Sequence, residues 1–265
     1  MHPAWLEWVL QQVVRPIRTA VAFLTRIPIA PRNVDELDSG RSVGFFPLVG
    51  VLLGLTAVGL AVLVRQRLPP WVGAVGIVSA LAWLTAGLHL DGWADLGDAL
   101  GGGRGDKERM LAIMRDSRIG AHGAAALTLL LLAKTAAVAE LLSLSRSSLF
   151  LSNPHPRLLL IFPVVARWVV APLVVLLPYA RAEGLGKSFN GRAGLTQIAV
   201  STVLAGAAVA WAGTDALVPT GAALVAGVTL GGYVYSRLGG LTGDVYGAVI
   251  ELSETVFLVA ALVRW

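Results

Sequence analysis

Asp91, Asp95 and Asp98 stand four and three residues apart, directly after an apolar run. On a helix this spacing gathers them within an arc of roughly 60°. Like charges a few ångströms apart repel by about 4 kcal/mol per pair at an effective dielectric near 20, so the stripe calls for protons or a cation. Hard oxygen donors in a chain without cysteine favour Mg²⁺, with Mn²⁺ possible, over Zn²⁺. Asp116, one short helix further on, is expected as a fourth ligand or as the group that orients one. The bland counterparts are a solvated acidic helix end for the stripe and a helix N-terminal carboxylate for Asp116.

Between these acids runs GGGRGDKER, residues 101–109, followed by Arg115, Ser117 and Arg118. Arg104, Lys107, Arg115 and Arg118, with the Ser117 hydroxyl and glycine backbone N–H groups, suit a diphosphate. Turn chemistry alone would also explain the glycines. A second polar loop offers Arg181, Lys187, Ser188, Asn190 and Arg192 as contacts for phosphates or a nucleobase, against the alternative of ordinary loop charge. Its GLGKS, residues 184–188, is not a P-loop, because Arg181 stands where that pattern needs glycine. Near the C-terminal end, Asp244, Glu251 and Glu254 fall within about 80° on a helix. They are candidates for a second acidic wall contacting substrate, unless Lys134 and Arg167 neutralise Glu251 and Glu254 inside the apolar spans. His89 lies off the aspartate stripe and is expected to be structural.

These groups are embedded in a chain of 265 residues that is 56% hydrophobic and 14% charged, with a mean hydropathy of +0.74. That composition predicts an all-α polytopic membrane bundle forming one domain over residues 1–265. About seven crossings are expected, at residues 45–64, 71–90, 119–144, 158–177, 195–212, 216–235 and 245–263. Residues 6–24 carry an apolar stripe with Trp5 and Trp8 near its start, which fits an amphipathic helix at the membrane interface and equally an ordinary helix packed on the bundle. Small-residue faces such as residues 221–232 can pack helices within a protomer or between protomers, so a homo-oligomer is possible.

The net charge of +5 does not argue for nucleic acid, because topology accounts for it. Fourteen Lys and Arg fall on the side holding residues 1–44, 91–118, 178–194 and 236–244, against five on the other. The positive-inside rule makes the first side cytoplasmic, and all the polar loops converge there.

LHLDGWADLGDALGGG, IMRDSRIGAHG and GGLTGDVYGAVIELSE together resemble the cobalamin synthase family, the adenosylcobinamide-GDP ribazoletransferases. FLTRIP, GFFPLVG and RAEGLGKSF extend the resemblance over nearly the whole chain. It implies a multi-pass bacterial membrane enzyme that joins adenosylcobinamide-GDP to α-ribazole, or its 5′-phosphate, with release of GMP and a requirement for Mg²⁺. The corrinoid is then a substrate and not a cofactor. One of Asp95 and Asp98 would take the hydroxyl proton, with the choice left open. The alternatives are a CDP-alcohol phosphotransferase-like lipid enzyme and a cation-coupled transporter. The signature of the first departs from this sequence at Asp95, and the second lacks a detectable repeat.

Overall fold

The computed structural model describes residues 3–144 and 154–263. Twelve α-helices occupy them: α1 (Ala4–Val9), α2 (Arg15–Leu24), α3 (Glu36–Ser42), α4 (Phe46–Val64), α5 (Pro70–Leu84), α6 (Leu88–Gly102), α7 (Lys107–Ile113), α8 (Ala121–Leu144), α9 (Pro154–Leu176), α10 (Leu195–Ala212), α11 (Leu217–Leu238) and α12 (Gly243–Ala260). No strand longer than an isolated bridge occurs among the described residues. The expected helical membrane bundle is what forms.

Five segments are long and apolar enough to cross a membrane: Glu36–Val64, Ala121–Leu144, Pro156–Leu176, Leu195–Ala212 and Thr214–Leu238. The other two expected crossings take different forms. α5 and α6 meet at a 91° bend and qualify only as a broken pair. Ala86 and Gly87 there both have positive φ, at 54° and 70°, so the helix cannot continue through them. α12 carries Asp244, Glu251 and Glu254, which lower its hydropathy, yet it is buried at the centre of the bundle against α6, α8, α9 and α11.

α1 and α2, joined by a widened helical turn over Leu10–Val14, form the expected N-terminal amphipathic helix. Trp5 and Trp8 are exposed at its outer end, while Ala20, Val21 and Leu24 are buried against the bundle. The 221–232 face is split. Gly227 and Gly231 pack closely on Val169 and Leu173 of α9, whereas Gly221 and Gly232 face open space.

Buried charge ties the middle of the bundle together. Lys134 of α8 binds Glu251 and, at 2.6 Å, Glu254, and Arg167 of α9 binds Glu254. All four side chains are at least 94% buried. Two cations and two anions thus cancel where isolated charges would be prohibitively costly.

Candidate active site

The site forms where α6 crosses α12. A methyl on Gly92 would lie 2.5 Å from the Asp244 carbonyl oxygen and 2.9 Å from its Cα, so only glycine permits this approach. Asp91 and Asp95 flank that crossing and come within electrostatic reach of Asp244. After α9, the chain pairs with the α11–α12 loop: Ala180 N–H donates to Leu241 O at 2.8 Å, and Leu241 N–H donates to Pro178 O at 2.9 Å. This pairing sets Arg181 beside Asp244, with Nη2 and Oδ2 2.8 Å apart. Arg181 Nε is buried and meets no acceptor among the described residues, leaving a donor available for an anion.

Asp91, Asp244 and Arg181 border a cavity whose outline, open solvent included, holds about 860 Å³ of empty space. Phe23, Phe46 and Phe189 line its apolar wall, with Phe23 and Phe189 ring centroids 4.2 Å apart. Tyr179, Tyr246 and His89 also line it. Burial pushes the Tyr179 phenol above its ordinary pKa, so it stays protonated at neutral pH. Two wider grooves continue the cavity. One shares Asp91 and adds Asp95 and Ser117, and the other shares Arg181 and adds Lys187 and Arg192.

The four segments predicted to share one membrane face do meet. Arg192 pairs with Glu36 at 2.5 Å, Arg181 pairs with Asp244, and Gly92 packs on Asp244, linking all four. Several predicted residues nevertheless have other partners. Asp98 accepts the Gly120 N–H at 2.6 Å and the Gly123 N–H at 2.8 Å, so both its oxygens serve the start of α8. Asp116 pairs with Arg118 at 2.5 Å. Hydrogen bonds from Arg118 hold the Asp116 carboxyl down at about 2. The expected ligand set of Asp91, Asp95, Asp98 and Asp116 is therefore not brought together, and no cluster of three or more acidic or histidine side chains placed to hold a metal occurs among the described residues.

Asn190 donates to Val174 O at 2.9 Å and Leu177 O at 2.7 Å, closing the end of α9. Lys187 braces its own loop through Ala182 O. Glu251 and Glu254 form no second wall of the cavity, because Lys134 and Arg167 engage them deeper in the bundle. Gly101 packs on the His122 ring and Gly103 on Met110, so the triple glycine closes α6 against α7 and α8. Arg104, Lys107, Arg115 and Ser117 are exposed, and of these Ser117 lines the groove that holds Asp91 and Asp95. The phenylalanine wall carried no charge or spacing signal. Phe23, Phe46 and Phe189 do fall within FLTRIP, GFFPLVG and RAEGLGKSF, three of the stretches that carry the family resemblance.

An ion held here would meet Asp91 and Asp95, with Asp244 across the helix crossing. These are hard oxygen donors without sulfur. Mg²⁺ commonly takes one or two carboxylates and completes its shell with water and substrate phosphates, so this donor set fits it without an all-protein cage.

The chain matches the cobalamin-5-phosphate synthase family over residues 16–262. A Brevibacillus brevis protein named adenosylcobinamide-GDP ribazoletransferase is 37% identical over 252 residues, covering 93% of this chain and 97% of its own length. A Klebsiella pneumoniae protein of the same name is 40% identical over 259 residues, covering 94% and 100%. One from Thiobacillus denitrificans is 37% identical over 257 residues, covering 94% and 95%. No solved structure matches the chain.

Proposed function

Because this chain belongs to the cobalamin-5-phosphate synthase family, we propose that it is an adenosylcobinamide-GDP ribazoletransferase, joining adenosylcobinamide-GDP to α-ribazole or its 5′-phosphate. The observation that carries this reading is the meeting of Asp91, Asp244 and Arg181 on the wall of a largely apolar cavity, with Asp95 in the groove that adjoins it at Asp91. Nucleotide-activated phosphoryl transfer needs anion-binding charge beside a space for bulky, partly apolar substrates.

A ribazole hydroxyl attacks the phosphorus bonded to the cobinamide arm. The new P–O bond forms as the bond to GMP breaks, and the hydroxyl proton passes to a carboxylate. Of the two acids considered for that role, Asp98 is occupied by two backbone N–H groups, which favours Asp95. Arg181 binds the diphosphate through its unpartnered Nε–H, and the phenylalanine wall excludes water from the reacting groups. Mg²⁺, or Mn²⁺ in its place, held by Asp91 and Asp95, would supply charge neutralisation for the phosphates. Arg104, Lys107, Arg115, Ser117, Arg118 and Lys187 form the outer rim that meets the nucleotide. The loop charge bias supports a cytoplasmic position for this face.

The test is GMP release by purified protein from adenosylcobinamide-GDP and ribazole, with EDTA and then Mg²⁺ added back. Release that stops with EDTA and returns with Mg²⁺ supports the whole reading. Metal-independent release would remove the cation from it, and no release with either form of ribazole would remove the activity.

A further inference from the structure

His89 belongs to the cavity wall, yet the chemistry above gives it no role. Its Nδ1 lies 3.4 Å from Arg167 Nη2. A guanidinium can only donate, so Nδ1 accepts and the ring proton sits on Nε2. Arg167 is held in turn by Glu254, which Lys134 bridges to Glu251. The imidazole is thus oriented from the membrane core by a buried chain of charges.

Its backbone is equally confined, since a methyl on Gly247 of α12 would lie 3.0 Å from His89 Cα. His89 is 2% exposed, and Nε2 meets no acceptor among the described residues. A buried N–H without an acceptor is destabilising, and the cavity is where an acceptor can be supplied.

We infer that His89 is a substrate-binding residue whose Nε2–H donates to an oxygen of the bound nucleotide-activated substrate, with Arg167 as the positioning residue that fixes the tautomer. This assignment rests on the proposed function for the identity of the substrate. It gives the buried ion-pair network a part in substrate recognition as well as in holding the helices.

Steady-state GMP release by His89→Gln, His89→Asn and His89→Leu separates the possibilities, because a glutamine amide nitrogen reaches the Nε2 position and an asparagine amide nitrogen does not. The expected result is a KM for adenosylcobinamide-GDP raised about tenfold in the Asn and Leu variants and within about threefold of the original in Gln. Equal KM changes in all three would overturn the assignment. Should the Asn or Leu variant fail to fold, ¹⁵N-histidine NMR of the unaltered protein decides. The His89 ring should show an unprotonated Nδ1 and a protonated Nε2, with the Nε2 signal moving when adenosylcobinamide-GDP is added. A reversed pattern, or no movement, refutes the inference. If the unaltered protein releases no GMP, the proposed function falls first, whereas an active protein with non-discriminating variants removes only the role of His89.

Discussion

Gly92→Ala tests the helix crossing that assembles the site. Its new methyl would sit 2.5 Å from the Asp244 carbonyl oxygen, and ordinary contact begins near 3.4 Å, so α6 and α12 must separate locally by about 0.9 Å. The obstruction is backbone, so no side-chain rotation relieves it. Overpacking of this kind costs about 1–3 kcal/mol, which a bundle this size survives. The larger effect is on geometry, because Asp91 and Asp95 ride on one helix and Asp244 on the other. A displacement near 1 Å in a phosphoryl-transfer site lowers turnover by about 10²-fold. The assay is GMP release in detergent or nanodiscs, read beside helical circular dichroism and thermal unfolding. Gly59→Ala is the control, since nothing lies within 4 Å of its added methyl. It should leave turnover unchanged and raise stability by up to about 1 kcal/mol. Near-normal turnover in a folded Gly92→Ala protein would refute the claim that this crossing sets the site.

Asp91→Asn should lower turnover by about 10²-fold or more with little change in melting temperature, whereas Asp98→Asn should cost about 1–2 kcal/mol of stability through the start of α8. Thermal unfolding and GMP release measured together distinguish them, and a stable but inactive Asp98→Asn protein would contradict its structural role. Lys134→Met alone should destabilise by about 3–5 kcal/mol, and adding Glu251→Gln should recover part of that loss. Equal melting temperatures for the single and double variants would count against the charge balance. In this cysteine-free chain, Lys107→Cys and Lys187→Cys should label from one side of sealed vesicles and Arg67→Cys from the other. Labelling of the two lysine positions from opposite sides would exclude a shared site.

Much of this architecture is legible from residue type and period. Membrane-length apolar runs identify five crossings, and the four-residue spacing of Asp91 and Asp95 puts both on the face that meets α12. The bland alternative for Glu251 and Glu254, neutralisation by Lys134 and Arg167, is the arrangement formed. Spacing alone could not separate Asp98 from its neighbours, because its partners are backbone N–H groups more than twenty residues away. Nor could it show that Asn190 would meet the last carbonyls of α9, or that Gly101 would serve the His122 ring. Each of these depends on a long-range approach between helices. The α5–α6 bend depends on two successive left-handed residues, and only one of them, Gly87, is of a type that announces it.

The buried quartet also has an order in time. A chain made from its N-terminus produces α8 with Lys134 and α9 with Arg167 before α12, which carries Glu251 and Glu254. Until then the two cations lack their partners, and the bundle lacks its central helix. The last helix therefore brings in one step the counter-charges, the Asp244 carboxylate and the surface on which Gly92 rests. An incomplete chain holds neither a neutral interior nor an assembled site.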